Sequence, residues 1–205
     1  MLKEEYADRR NYLLIHQEST IIKIAMQILE LEGVLAMKNI SFRVRNFEKE
    51  KFLTFNIDND AELDEELFVR WAQANSLMGM MQISIAPWRV LSDENANRVI
   101  AAIKLHESFG EKLVDLAKNA KKTGEPIVRH MAYEFPDEGL EEVSGQFMLG
   151  SDILVAPILK KGECKKRVML PHGMWQSSTG EIYSGDCEII IDVDMDTTLY
   201  FRRCS

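Results

Sequence analysis

Residues 145–159 read G-Q-F-M-L-G-S-D-I-L-V-A-P-I-L, and this stretch decides how the rest of the chain is interpreted. Glycines stand at positions 145 and 150, and Pro157 lies near the end of the apolar run. A short apolar run bounded by turn residues is typical of a buried β-strand. The stretch therefore predicts a β-rich region with closely spaced turns.

Around this stretch, from Gly124 to the C-terminus, the apolar residues recur with a period of two. Short segments of this kind, separated by turn residues, predict a small antiparallel β-sandwich. The predicted strands are residues 127–133, 146–149, 153–159, 166–170, 173–176, 188–193 and 198–202.

Before Gly124, the turn-forming residues proline and glycine are much less frequent. All five prolines lie after residue 86, and the only glycine before Gly79 is Gly33. Sparse turn residues and apolar residues at helical spacing predict a mainly helical region. The predicted helices are residues 19–37, 62–78 and 93–122, the last with Ser92 as its N-cap, and short strands are predicted at residues 40–44 and 52–57.

The net charge and the apolar runs of the chain indicate which partners it can have. A chain of 205 residues can form one sizeable domain or two small ones, and its net charge of −8 argues against a nucleic-acid partner. No apolar run is long enough to span a bilayer, and the first ten residues carry acids where a signal peptide has a basic start. We therefore expect no membrane partner and a cytoplasmic location.

Metal, cofactor and catalytic sites are not indicated by residue spacing. The three cysteines are far apart and form no Cys-x-x-Cys pair, so no metal site, disulfide framework or cofactor is predicted. The acidic cluster at residues 58–62 fails as a calcium loop, because Leu63 and Val69 occupy the positions of the required glycine and glutamate. Glycoside hydrolysis needs two carboxyl groups with different pKa values, and the spacing of the 33 acidic residues nominates no such pair.

Trp88, directly after Pro87, has two interpretations. It could stack against a sugar ring, or it could be a buried aromatic side chain at a bend. Large aromatic residues most often serve burial, which favours the second interpretation.

Seven short sequence motifs, in a fixed order along the chain, indicate a protein family more specifically than composition or periodicity does. They are E-E-L-F-V-R-W-A-Q (65–73), M-M-Q-I-S-I-A-P-W (80–88), T-G-E-P-I-V-R (123–129), E-F-P-D (134–137), Q-F-M-L-G-S-D-I-L-V-A-P-I-L (146–159), R-V-M-L-P-H-G-M-W (167–175) and L-Y-F (199–201). Through them the C-terminal portion of the chain, from about residue 60, resembles glycoside hydrolase family 31, the α-glucosidase and α-xylosidase group. Within the family it is most similar to the branch of the myogenesis-regulating glycosidase.

The resemblance implies an α+β chain in three parts. Residues 1–57 are an unassigned segment of helix and strand. Residues 58–123 correspond to the C-terminal end of a (β/α)₈ barrel, with its last strand at residues 80–84 and its last helix at residues 93–122. Residues 124–205 correspond to the antiparallel β-sandwich that follows the barrel.

The resemblance also nominates substrate-binding residues. Many family members have Arg-Asn-His on the last barrel strand, where the histidine contacts the sugar. Gln82, Ile83 and Ser84 stand there in this chain, so that the histidine role does not carry over. Gln82 and Ser84 could each hydrogen-bond a sugar hydroxyl, and Trp88 could pack against a ring.

The family's catalytic residues are two aspartates on earlier barrel strands, and residues 1–57 contain neither motif. The sequence therefore predicts a C-terminal fragment of a retaining α-glycosidase, with a carbohydrate as the partner of the parent enzyme and no hydrolysis by the fragment alone. The alternative is a non-catalytic β-sandwich module that binds carbohydrate or a partner chain. A third interpretation is a truncated frame with an exposed apolar strip at residues 77–85. We expect residues 19–37 to cover this strip, or the chain to self-associate through it.

Overall fold

The structure is a computed structural model that describes residues 64–83 and 86–204. It also describes the backbone of two further strands, β1 (Ile40–Asn46) and β2 (Lys51–Ile57), which agree with the two short strands predicted before residue 58. The predicted helix at residues 19–37, the acidic cluster at residues 58–62 and Ser84 lie outside the described residues.

The helices precede nearly all the other strands along the chain. After β2 come α1 (Glu65–Asn75), a 3₁₀ turn (Pro87–Arg89), α2 (Asp93–Ser108), α3 (Gly110–Thr123), β3 (Val128–Arg129), α4 (Met131–Glu134), β4 (Phe147–Leu149), β5 (Ile153–Val155), β6 (Lys165–Leu170), β7 (Met174–Ser177), β8 (Ile182–Ser184), β9 (Cys187–Asp192) and β10 (Tyr200–Arg203). Helices and antiparallel sheets are thus both present, as predicted. None of the helices in the described ranges has the length and hydropathy that a bilayer crossing requires.

The sandwich consists of two antiparallel sheets. Six strands pair in the order β3-β4-β5-β10-β7-β8, while β6 and β9 form a separate pair. Between the two sheets lies one apolar cluster, to which Val168 of β6, Leu154 of β5, Trp175 of β7 and Phe201 of β10 contribute fully buried side chains. The predicted antiparallel sandwich is therefore confirmed in its general arrangement.

The other face of the six-stranded sheet is also covered. Phe147 and Ile153 pack there against Leu77, which follows α1, and against Phe109 and Leu113 of the α2–α3 region. Successive residues of β4 and β5 thus face two different apolar clusters, since their side chains alternate across the sheet. This explains why the stretch that includes F-M-L and I-L-V is apolar without interruption.

The helices differ from the predictions in detail. The single helix predicted at residues 93–122 is two helices that meet at Phe109, whose buried ring contacts Tyr200 edge to face at 5.6 Å between centroids. Ser92 occupies the N-cap position, but its side chain makes no capping hydrogen bond. Gly124, in the left-handed region with φ 79°, ends α3, as glycine often does after a helix.

In the sandwich, two strand predictions need correction and one strand was missed. The strand predicted at residues 127–133 stops at Arg129, because His130 Nδ1 accepts a hydrogen bond from Ala132 N at 3.1 Å and caps the short helix α4. The strand predicted at residues 153–159 ends at Val155, two residues before Pro157, which lacks the N–H that a central ladder needs. Strand β8 was not predicted, since it has only three residues and none of them is buried.

The segment at residues 80–83, expected to be a strand, makes no strand hydrogen bonds in the described part of the chain. The apolar strip expected around it is largely buried. Leu77 is fully buried, and Met81 and Ile83 pack partly buried against α1 and α2. Met80, at 78% exposure, is the described member of the strip that remains open to solvent.

Helix α1 is joined to the sandwich by buried polar contacts. Arg70 Nη1 donates to the carbonyl of Asp194 at 2.8 Å and to Gln73 Oε1 at 3.0 Å. Gln73 Nε2 donates to the carbonyl of Met195 at 2.8 Å. At the start of the helix, Gly162 N donates to Glu66 Oε1 at 2.8 Å. Two loops of the sandwich therefore hold one helix.

Lys166 lies at a core-facing position of β6, on the same face of the strand as Val168 and Leu170. Its side chain is buried, and Nζ donates to the carbonyl of Gly145 at 2.8 Å. Burial lowers the pKa of Lys166 from 10.5 to about 8, because the ammonium form loses its hydration.

This lowered pKa makes stability depend on pH. Between about pH 8 and 10.5 the unfolded chain binds a proton at Lys166 that the folded chain has released, so the free energy of unfolding rises with pH in this window. We expect the wild-type protein to gain up to about 3 kcal/mol over this window relative to Lys166→Met. Urea unfolding at the two ends of the window measures the gain.

Lys165→Met is the matched control, because Lys165 is the neighbouring residue on the solvent face of the same strand. The control should keep the pH dependence of the wild type, which separates Lys166 from the other groups that titrate above pH 8. Identical pH dependences for the wild type and Lys166→Met would contradict the assignment.

Candidate functional site

The predicted substrate-binding residue Gln82 lies on the segment at residues 80–83, which follows α1. Burial alternates along this segment: Met81 and Ile83 pack against the helices, while Met80 and Gln82 are exposed. The Gln82 amide makes no hydrogen bond to another described residue, so that both its donor and its acceptor are available to a ligand.

A short turn exposes the side chain of Trp88 to solvent. Pro87 is buried and begins the 3₁₀ turn, and its carbonyl accepts hydrogen bonds from Val90 N at 3.1 Å and Leu91 N at 2.9 Å. Trp88, at the centre of the turn, is 66% exposed. The interpretation as a buried aromatic at a bend is therefore wrong, and the indole face is open to a ligand.

Glu65 connects the end of this turn region to α1. Its Oε1 accepts from Ser92 N at 3.0 Å, and its Oε2 accepts from Ser92 Oγ at 2.5 Å and from Asn95 Nδ2 at 2.6 Å. The side-chain hydrogen bonds from Ser92 and then Asn95 lower the pKa of Glu65. The Ser92 hydroxyl is thus used between helices rather than as the predicted cap.

The two carboxyl groups with resolved pKa shifts do not suit a general acid. The pKa of Glu65 is lowered, as described, and that of Asp194 is lowered chiefly by a side-chain hydrogen bond from Thr197. A glycosidase acid needs a raised pKa in order to hold its proton at neutral pH. Both groups therefore act here as ionised hydrogen-bond acceptors.

The described histidines have structural partners. His106 Nδ1 lies 2.9 Å from the carbonyl of Ser76, and His130 caps α4. His172 Nδ1 lies 2.9 Å from Asp186 Oδ2 on an exposed turn. Within residues 64–83 and 86–204, no three His, Cys, Asp or Glu side chains cluster as metal ligands would. Cys164, Cys187 and Cys204 are exposed free thiols.

Of the three predicted substrate-binding residues, the structure places Gln82 and Trp88 at the surface, each close in sequence to residues that pack against α1 and α2. Arg70 and Gln73, which join α1 to the sandwich, have roles that residue spacing did not predict. The available signal was two polar residues inside the apolar run L-F-V-R-W-A-Q-A. The role of Glu65 was not predicted, since its partners are 27 and 30 residues away.

Comparison with known proteins identifies the class. Residues 124–205 match the family model of the glycosyl hydrolase family 31 C-terminal domain. This part of the chain belongs to that family, which confirms the resemblance carried by the seven motifs. The chain is 35% identical over 145 residues to the mouse myogenesis-regulating glycosidase, an alignment that covers 69% of this chain and 20% of the mouse protein.

Solved structures agree with this assignment. A family 31 α-xylosidase from a soil metagenome, complexed with xylose, has a TM-score of 0.63 at 25% identity and covers 71% of this chain and 25% of its own. The dextranase of Flavobacterium johnsoniae, complexed with glucose, also has a TM-score of 0.63, at 30% identity over 68% of this chain and 18% of its own. The chain thus spans a quarter or less of these proteins.

The exposure of Trp88 leads to a prediction about stability. Trp88→Ala should change the free energy of unfolding by less than about 0.5 kcal/mol, because surface substitutions rarely cost more. Trp175→Ala should cost about 3–5 kcal/mol, because Trp175 is completely buried between the sheets. Urea unfolding of both variants measures the contrast, and a large loss in Trp88→Ala would show that the indole is packed.

Proposed function

We propose that this chain is the C-terminal portion of a retaining α-glycosidase and supports the enzyme's sugar site without supplying its catalytic pair. The observation that carries the proposal is the position of the exposed candidate residues. Gln82 and Trp88 lie beside the helices. The residues that match the family model lie in the sandwich on which those helices pack. The chain in this arrangement is a supporting part of a sugar-processing enzyme.

The proposed division of the chain follows from this arrangement. Residues 58–123 are the C-terminal end of a (β/α)₈ barrel, with residues 80–84 in the place of the last strand and α2 with α3 in the place of the last helix. Residues 124–205 are the proximal sandwich. Site residues of barrel enzymes lie at the C-terminal ends of strands, which is where Gln82 and Ser84 fall under this division.

The chemistry of the proposed contacts is that of sugar recognition. The Gln82 amide can donate to one sugar hydroxyl and accept from another, Ser84 offers a hydroxyl that does the same, and the Trp88 indole can stack on the apolar face of a pyranose ring. The xylose and glucose bound to the two solved relatives support a carbohydrate as the ligand class.

Hydrolysis with retention requires more than these contacts. One carboxylate attacks the anomeric carbon while a carboxylic acid protonates the leaving oxygen, and water then breaks the glycosyl–enzyme bond. We propose that in the parent enzyme both groups lie on barrel strands that precede α1. We therefore propose that the chain by itself hydrolyses no glycoside.

This proposal predicts no release of p-nitrophenol from p-nitrophenyl α-glucoside or α-xyloside by the purified chain. The measurement is absorbance over hours at high protein concentration. A parallel preparation of Trp88→Ala controls for contaminating host glycosidases, whose activity the substitution cannot change. Turnover by the wild-type chain that Trp88→Ala lowers would overturn the proposal.

The alternative function, a sandwich module that binds carbohydrate or a partner chain, is disfavoured by Trp175. This residue is the only tryptophan of residues 124–205, it is completely buried, and its Nε1 donates to the carbonyl of Pro171 at 2.9 Å. It therefore offers no platform for a sugar ring. Glycan binding on an array that Trp88→Ala leaves unchanged would favour this alternative.

The cellular location and the partners of the protein are proposed from its cysteines and its net charge. We propose a cytoplasmic location, which the three exposed free thiols support because such thiols persist in reducing compartments. The net charge of −8 supports the absence of a nucleic-acid partner.

A further inference from the structure

Residues 80–83 have the burial pattern of an edge strand. Met81 and Ile83 pack on the cluster formed by α1 and α2, while Met80 and Gln82 are exposed. Alternate residues of a strand face opposite sides, so this pattern is what a strand with one covered face produces.

Among the described residues, the backbone of this segment has no strand partner. No backbone hydrogen bond joins residues 80–83 to any other residue of the described ranges. A row of free N–H and C=O groups beside an apolar core is a template for pairing with another strand. The segment is therefore an open pairing site.

The hairpin β1–β2 is a sheet of two strands that a third strand would stabilise. Its seven residue pairs run from Ile40 opposite Ile57 to Asn46 opposite Lys51, and it forms a two-stranded sheet of its own. An isolated two-stranded hairpin is at best marginally stable, and a third strand or a packed helix gives it independent stability.

Chain order indicates which hairpin strand fits the site. Strand β2 ends at Ile57, α1 follows at Glu65–Asn75, and the open segment begins at Met80. The connections, residues 58–64 and 76–79, are close to the usual lengths of roughly two to six residues in strand–helix–strand units. Such units place their two strands in parallel, with the helix packed on one face of the sheet.

Helix α1 already occupies the position that such a unit demands. Its buried residues Leu67, Phe68 and Val69 belong to the cluster on which Met81 and Ile83 pack. A crossover helix covers one face of both strands that it connects, and one of those strands would be residues 80–83. No described strand occupies the remaining position, beside the open backbone.

We propose that β2 pairs in parallel with residues 80–83, with α1 as the crossover helix, so that β1, β2 and this segment form one three-stranded sheet. The pairing satisfies the backbone groups along one edge of residues 80–83 and gives the hairpin its third strand. It goes beyond the proposed function, because it assigns a role to a part of the chain that the family comparison does not cover.

Disulfide trapping in the full chain tests this pairing. Cys164, Cys187 and Cys204 are replaced by serine, and Gln82→Cys is combined in turn with cysteine at each position from 53 to 56 of β2. Neighbouring strands bring Cα atoms within the roughly 4.4–6.8 Å that a disulfide spans. We expect an intramolecular cross-link at one position of β2, or at two positions two residues apart on one face, identified by peptide mass mapping.

Arg43→Cys with Gln82→Cys is the matched control. Arg43 pairs with Thr54 inside the hairpin, so it lies one strand, about 4.8 Å, further from residue 82 if β2 is the pairing strand. Cross-linking through β1 in preference to β2, or at no position, overturns the proposal. Cross-links formed only between molecules overturn it as well, since they would assign the site to a second copy.

Hydrogen exchange of the unmodified chain is a second measurement that needs no cysteine variants. Either the amides of Met81 and Ile83 or the amide of Gln82 should exchange at least about tenfold more slowly than unstructured amides, because pairing along one edge protects alternate N–H groups. Thr54→Pro, which interrupts β2, should remove this protection. Exchange of all three amides at the unstructured rate in the wild-type chain overturns the proposal.

Discussion

The contact between Arg70 and the carbonyl of Asp194 is the constraint on which the arrangement of helices and sandwich depends. A guanidinium group buried away from water is costly unless its donors are used, and one hydrogen bond from a charged donor contributes about 1.5–3 kcal/mol. Arg70 directs Nη1 to the sandwich loop and to Gln73, which in turn bonds the next carbonyl of the same loop, while the buried Nε of Arg70 has no hydrogen-bond partner among the described residues. Because the loop ends where β10 begins, this contact sets the position of α1 relative to the central sheet.

The central sheet in turn determines where the exposed candidate residues lie. Its β4 and β5 strands are buried on both faces, by β6 and β9 on one side and by the helical region on the other. The helices are thereby fixed, and Glu65 ties Ser92 and Asn95 to the start of α1. Trp88 stands on the turn just before Ser92, and the hydrogen bonds of that turn determine its exposure.

Sequence patterns predicted the parts of this fold that local periodicity specifies. The strands at 166–170 and 188–193 were predicted to within one residue, because each has one covered face and one solvent face. The break at Phe109 was missed, since no proline marks it and its cause is a ring packed against a residue 91 positions away. The early end of β3 was missed for a related reason: a histidine cap does not alter the apolar pattern.

The candidate site was predictable only in part. Gln82 and Trp88 were nominated by resemblance, and the orientation of Trp88 depended on a turn whose hydrogen bonds the sequence does not display. The roles of Arg70 and Glu65 depend on partners that are distant along the chain. Local pattern therefore identifies a polar residue in an apolar helix, but it does not identify the loop that satisfies it.

The two-sided burial of the central sheet makes the folding unit larger than the domain that the family model matches. The family match begins at Gly124, yet Phe147 and Ile153 within it are covered by Leu77, Phe109 and Leu113, which precede that point. A gene that acquired only the matched domain would inherit a sheet with one apolar face uncovered. Recombination would therefore conserve a larger module that carries α1 to α3 together with the sandwich.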